Sequence, residues 1–267
     1  MKLEEYCNAA TQIAVAAGQQ ILEVYGDEFA VEYKADESPL TLADQRSHDV
    51  IVAGLQALGT GLPILSEEGD MPDFASRSQW SQYWLLDPLD GTKEFVKRNG
   101  EFTVNIALVD AGVPVLGVVY VPVTGVTYFA WAGGGSWRQE SGETPEKITV
   151  RQAAPDGCLA VVCSRSHRGA RLEALLQRLG NYEAVPMGSS LKLCLVAEGL
   201  ADFYPRLGPT SEWDTAAAHA VVLEAGGQVT DLQRLPLLYN QKESLLNPEF
   251  LVMPAGHPDW LPDFDNL

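Results

Sequence analysis

The spacing of apolar positions changes several times along the chain, and each change marks an element. Leu3, Cys7, Ala10, Ala14, Ala17, Ile21 and Val24 recur every three or four residues, which predicts an amphipathic helix over 3–25 ending at Gly26. Phe29, Val31 and Tyr33 alternate as a short strand would, closed by Ser38-Pro39. Thr41-x-x-Asp44 then opens a second helix with a start like a capping box, running through Val50, Ile51 and Leu55 to about Leu58. Pro63-Ile64-Leu65-Ser66 reads as a short strand that runs into Glu67 and Glu68, and Trp84-Leu85-Leu86 as the end of a buried one. Runs at 102–109 and 115–121 predict neighbouring strands joined at Ala111-Gly112, with another at 127–131. Two shorter strands flank the polar turn 140–146.

From Ala153 the pattern becomes alternating strand and helix, the signature of an α/β layer. Strands are expected at 159–163, 182–186, 201–204 and 228–230, and helices at 168–179, 189–198 and 214–225, the last closed by Gly226-Gly227. The fold class is therefore α/β, without repeats or low-complexity segments.

Candidate chemistry enters where apolar runs end in acids. Leu86 is followed by Asp87-Pro88-Leu89-Asp90-Gly91-Thr92. Proline pushes the residue before it towards extended geometry, so Asp87 is held at the end of a strand with Asp90 across a tight turn. Gly91 admits a positive φ or a close backbone approach. Two carboxylates so placed repel unless a cation lies between them, and oxygen ligands of this kind suit Mg²⁺. Taken alone, such a motif is most often a surface turn, Glu67 a solvated acid, and Asp214 a helix N-cap. The three elements gain meaning together: Ser66-Glu67-Glu68, Asp87 to Thr92, and Trp213-Asp214-Thr215 ahead of an alanine-rich helix.

Composition narrows the function. The 267 residues are 46% hydrophobic and 20% charged, as in ordinary globular proteins, and carry a net charge of −18. So acidic a chain repels nucleic-acid polymers and anionic membranes, but a small anion can bind where metal ions and a few cations reverse the field. Cys7, Cys158, Cys163 and Cys194 form no Cys-x-x-Cys pair and read as buried free thiols of a reducing compartment. No run reaches the ~20 apolar residues that span a bilayer, and the N-terminus lacks the apolar core of a signal peptide. These features point to a cytoplasmic location, with peripheral attachment to the inner membrane as a variant of it. There is no Gly-x-Ser-x-Gly elbow, no Cys-His nucleophile signature and no His-x-x-x-His zinc pair. His219, inside the alanine-rich helix, reads as structural, while His48 and His257 support no role.

The three acidic elements, in this order over nearly the whole chain, resemble the signatures of the inositol monophosphatase superfamily of Mg²⁺-dependent, lithium-sensitive phosphatases. Leu-Asp-Pro-Leu-Asp-Gly-Thr-Lys-Glu-Phe and Arg-Asn-Gly-Glu-Phe-Thr-Val-Asn-Ile-Ala are similar to its bacterial bisphosphate nucleotidase branch, as are Ser164-Arg-Ser-His167, Gly188-Ser-Ser-Leu-Lys192 and Tyr204-Pro-Arg206. The resemblance implies a layered α-β-α-β-α sandwich with the metal site between two halves. The halves would be 1–133, carrying most ligands, and 134–267, carrying the last ligand and the nucleotide-binding residues. It implies two or three Mg²⁺ ions on Glu67, Asp87, Asp90, Asp214 and the Leu89 carbonyl, with Asp44 and Thr92 holding and deprotonating the attacking water. His167, Ser189, Lys192 and Arg206 would hold the nucleotide and its second phosphate, while Gly91, with the residues beside it, would face the phosphate under attack. The implied reaction is removal of the 3′-phosphate from adenosine 3′,5′-bisphosphate by a monomer or homodimer. An inositol-monophosphatase-like activity is the alternative enzyme, and a non-catalytic acidic metal-binding protein the alternative of another class.

Overall fold

The structure, a computed structural model, describes residues 2–26, 39–151, 157–164 and 169–256. The strand expected around Phe29–Tyr33, His167 and His257 lie outside the described residues. Helices α1 (Leu3–Gly26) and α2 (Pro39–Ala57) come first, followed by β1 (Ile64–Ser66), the short α3 (Phe74–Arg77), β2 (Gln82–Asp90) and α4 (Thr92–Val96). Then come β3 (Thr103–Asp110), β4 (Val113–Val121), β5 (Val126–Trp131), β6 (Gly135–Gln139) and β7 (Glu146–Ile148). Strands β1 to β7 form one sheet in chain order, parallel only between β1 and β2. The boundary expected at 133/134 falls inside this sheet, because β5 and β6 pair across it from Trp131 to Gly135.

The rest alternates: β8 (Leu159–Cys163), α5 (Ala170–Leu179), β9 (Tyr182–Pro186), α6 (Leu191–Ala197), β10 (Tyr204–Arg206), α7 (Ala216–Glu224), β11 (Gly227–Asp231) and β12 (Phe250–Pro254). Strands β10, β12 and β11 make an antiparallel sheet, and the parallel pair β8–β9 joins it through a bridge between Val161 and Phe203. The strand expected at 201–204 thus begins three residues later, and β12 had no counterpart in the expectations. Phe250, Leu251, Val252 and Met253 are buried on both faces, and so short a continuous apolar run has no period to read.

These elements stack as five layers, α-β-α-β-α. Apolar faces of α1 and α2 cover one side of the large sheet, meeting Trp84, Leu86, Val104 and Val118. Helices α6 and α7 fill the space between the two sheets, meeting Leu85, Ala107 and Val119 on one side and Val229 and Val252 on the other. Leu172, Leu175 and Leu176 of α5 close the outer face over Val161, Phe203 and Leu251. Strand β4 shows how tight the stack is. A Cβ on Gly117 would lie 2.0 Å from the Ala217 carbonyl oxygen of α7, and one on Gly18 of α1 would lie 2.4 Å from the Tyr120 ring. Glycine at both positions lets helices approach the sheet from opposite sides. The four cysteines are free, three buried and Cys158 half-buried.

Candidate active site

Strand pairing brings the acids together. Ser66 pairs with Leu86 in the parallel β1–β2 register, and the Glu67 N–H donates to the Leu86 carbonyl at 3.2 Å, so Glu67 emerges beside Asp87. Strand β2 does not stop at Leu86, as the Asp-Pro sequence suggested, but pairs with β3 as far as Asp90–Thr103. Asp87 pairs with Asn105 and Asp90 with Thr103, so three steps on β2 oppose two on β3. That extra residue is a β-bulge. In a regular strand, residues three apart face opposite sides; the bulge restores parity and puts Asp87 and Asp90 on the same side. Both then face the layer of α6 and α7, from which Asp214 arrives.

Carboxylate oxygens of Glu67, Asp87 and Asp214 lie within 4.8 Å of one another. Asp214 is not the N-cap of α7, a place taken by Thr215; its Oδ2 instead accepts from the Ser211 N–H at 2.9 Å. Asp90 is held beside this cluster by the Ser190 N–H at 2.5 Å, with the Asn105 amide at 3.5 Å. Leu89 is buried in the bulge and donates its N–H to Asp87 Oδ1 at 3.0 Å. Asp44 enters from α2, which the Ser47 hydroxyl pins to the Pro88 carbonyl at 2.7 Å. Thr92 starts α4 just after Gly91, whose φ is 99° and whose missing Cβ clears the Glu101 carbonyl. Thr92 is exposed, and no hydrogen bond joins it to Asp44.

The electrostatics are those of acids crowded without a cation. Burial pushes Asp44 up to about 8, aided by repulsion from Glu68 and Glu67. Burial and repulsion from Asp90 push Asp214 up to about 7. Asp87 is driven up by burial and then by Asp90, Glu67, Asp214 and Asp44, and Glu67 and Asp90 also rise, burial first in each case. Asp44 Oδ1 is buried with no hydrogen-bond partner. Close carboxylate oxygens, raised proton affinities and an unpartnered buried oxygen fit a divalent cation with oxygen ligands.

A cavity of about 720 Å³ opens from this cluster. Asp90, Asp214, Lys192 and Arg206 all border it, with Met187, Leu193 and Tyr204 supplying apolar wall. Its size suits a nucleotide-sized ligand. Ser189, on the wall, has φ of 43°, an uncommon conformation for a side chain other than glycine. Lys192 is 8% exposed; its ammonium donates to the Ser189 carbonyl at 2.5 Å and lies 5.8 Å from the Tyr204 ring centre. Burial lowers its proton affinity, and Asp90 is the strongest charge opposing that. Arg206 donates to the carbonyls of Gly208 and Pro209, at 3.1 and 2.5 Å. His219 is structural, as expected: burial holds it neutral, pulled down to about 3, with Nδ1 3.0 Å from the Tyr239 hydroxyl.

Several supporting residues escaped the sequence reading. The Ser190 hydroxyl donates to Asn105 Oδ1 at 2.8 Å and lies 2.9 Å from the Thr103 hydroxyl, a buried network under Asp90. One signal was present, since Asn105 is an amide in the middle of the apolar run 102–109. Nothing comparable marked Ser47, and Ser190 stood out only as part of the stretch Gly188 to Lys192.

The raised acids make a stability prediction with a definite sign. An acid whose folded pKa lies above its unfolded value holds its proton more tightly in the native state, so stability is lost as pH rises through the folded value. Asp214 and Asp44, at about 7 and 8, set the window. His219 acts only below its unfolded value near 6.5. From pH 6.5 to 8.5 the Tm of chelator-treated protein should therefore fall by about 3–6 °C, from about 1–2 kcal/mol. With saturating Mg²⁺ it should stay level. Parallel curves in scanning calorimetry would refute the crowded-acid description.

Comparison with known proteins agrees with this geometry. The model of the inositol monophosphatase family matches residues 2–257. The chain is 52% identical over 252 residues to the 3′(2′),5′-bisphosphate nucleotidase CysQ of Salmonella typhimurium, covering 94% of this chain and 98% of that one. Among solved structures, CysQ from Bacteroides thetaiotaomicron superposes with a TM-score of 0.86 at 46% identity, covering 95% of this chain and 98% of the other. An inositol monophosphatase from Anabaena superposes at 0.76 with 25% identity, covering 99% of both chains. The five-layer stack is thus shared with known proteins, and the chain belongs to the inositol monophosphatase family.

Proposed function

We propose that the protein is a Mg²⁺-dependent 3′(2′),5′-bisphosphate nucleotidase that hydrolyses the 3′-phosphate of adenosine 3′,5′-bisphosphate to give AMP and phosphate. The observation that carries this reading is one cavity lined both by the carboxylates Asp90 and Asp214 and by the cations Lys192 and Arg206. A monophosphate needs the first group; a bisphosphate also needs the second, because the average field of a chain with net charge −18 repels it. High identity to CysQ nucleotidases over most of the chain supports the same choice.

Glu67, Asp87, Asp90 and Asp214, with the Leu89 carbonyl, would hold two or three Mg²⁺ ions. When bound, these ions neutralise phosphate charge and make a water molecule more acidic at neutral pH. The chain's own residues do the rest. Asp44 takes the proton of the attacking water, its affinity brought down from about 8 by the positive charge beside it. Thr92 orients that water from the exposed start of α4, the two side chains closing on it once it is present. Gly91, having no side chain, leaves the approach of the phosphate open. Arg206 holds the second phosphate, with Ser189 on the same wall, and Lys192 serves both phosphates as the counter-charge of Asp90; His167 belongs to this group by sequence resemblance.

The direct test is phosphate release from adenosine 3′,5′-bisphosphate and inositol 1-phosphate side by side, with and without Mg²⁺. We expect kcat/KM to favour the nucleotide by about 10- to 150-fold, the worth of a charged contact to the second phosphate. Preference for inositol 1-phosphate would establish the other enzyme class, and turnover in excess chelator would remove the metal from the proposal. No described helix is long and apolar enough to cross a membrane.

A further inference from the structure

Asp214 sits in the turn before α7, and that turn is bracketed by one side chain. The Asn247 amide group donates to the Ser211 carbonyl at 2.8 Å and to the Thr215 hydroxyl at 3.0 Å, one on each side of Asp214. Its backbone N–H also donates to the Thr210 carbonyl at 2.8 Å, and its neighbour Leu246 bridges Ser211. Ser211 in turn supplies the N–H that holds Asp214 Oδ2. The far side of the bracket is anchored in the core. Thr215 has a single hydroxyl proton and gives it to the Glu212 carbonyl, at 3.2 Å. The Tyr239 hydroxyl, 3.1 Å away, must therefore donate to Thr215, and His219 Nδ1, 3.0 Å beyond, must carry the proton that Tyr239 accepts. A neutral His219 with its proton on Nδ1 meets that requirement.

We propose that Asn247 is the positioning residue for Asp214, with Tyr239 fixing the other end of the turn, so that the two set the affinity of the metal site without touching a metal. The proposal rests on Asp214 being a metal ligand. Groups that orient ligands commonly change metal affinity about 10- to 100-fold when lost, because the ligand must then be ordered at the moment of binding. A buried scaffold residue would instead lower stability and leave metal affinity alone.

The experiment measures Mg²⁺ dependence in two ways, by the rise in Tm and by activity, for Asn247→Ala, Tyr239→Phe, Asp214→Asn and Tyr128→Phe. Tyr128 is the control: it is a buried residue whose hydroxyl donates to Glu198 at 2.9 Å, but it belongs to no part of the Asp214 turn. Asn247→Ala and Tyr239→Phe should each raise the Mg²⁺ concentration for half-maximal Tm rise about 10-fold or more, with kcat at saturating Mg²⁺ within about threefold of wild type. Tyr128→Phe should lower Tm and leave the Mg²⁺ midpoint in place. If Asn247→Ala does not fold, Tyr239→Phe decides by the same midpoint. An unmoved midpoint in the folded variants overturns the proposal, as does an equal shift in Tyr128→Phe. Wild-type Mg²⁺ dependence in Asp214→Asn would instead overturn the ligand reading itself.

Discussion

Asp87→Asn should reduce kcat/KM by about a thousandfold, roughly 4 kcal/mol of transition-state stabilisation, and at the same time raise the Tm of the chelator-treated protein. The two effects have one origin. Asp87 is 1% exposed and faces four other acids, Asp90, Glu67, Asp214 and Asp44. Without a cation its charge is costly to bury; with one, it is a ligand enclosed among four other acids. Asparagine keeps the oxygen that accepts from the Leu89 N–H and replaces the other with donors, which meet carboxylate acceptors all round. The cluster should relax, and a gain of about 1–2 kcal/mol would appear as roughly 3–6 °C in Tm at pH 8. The rise in Tm that wild type shows with Mg²⁺ should vanish. A variant that is inactive and also less stable in chelator would mean that Asp87 serves the core, and one retaining wild-type turnover would remove it from the chemistry.

What the sequence disclosed and what it hid divide along a physical line. Period located α1 and α2, which each show one apolar face, while apolar runs bounded by breaker residues located the strands of the large sheet and α7, which is buried all round. The order of the acids disclosed the cluster, since Glu67, Asp87 and Asp214 each end or begin an apolar run. Hidden were features that depend on register. Asp-Pro read as the stop of a strand, whereas the strand passes through it in a bulge, and only pairing with Asn105 and Thr103 reveals which side the two aspartates share. Asp214 read as a cap because capping is a local rule; its carboxylate instead accepts from Ser211, on the turn itself. Ser47, Ser190 and Asn247 act across large sequence separations, and such contacts leave no spacing to count.

The second large effect separates Arg206 from Lys192, which the sequence alone could not do. Both border the cavity, but their surroundings differ. The Lys192 ammonium is buried, bound to the Ser189 carbonyl, and has Asp90 as the strongest charge favouring its protonation. Arg206 is half-buried, donates through Nε and one Nη to the Gly208 and Pro209 carbonyls, and has the Tyr204 hydroxyl beside it on the cavity wall. Lys192→Met, which keeps the stem and removes the charge, should therefore cost both phosphates: about 10- to 150-fold in kcat/KM on adenosine 3′,5′-bisphosphate, and a similar factor on adenosine 3′-monophosphate, because Asp90 loses its counter-charge. Arg206→Ala should cost about 10- to 150-fold on the bisphosphate and less than about threefold on the monophosphate, which has nothing for the guanidinium to hold. The ratio of the two substrates is the measurement. Loss of both activities in Arg206→Ala would assign the arginine to the 206–209 turn rather than to the second phosphate. A selective loss in Lys192→Met would place the buried ammonium with the distal phosphate and not with Asp90.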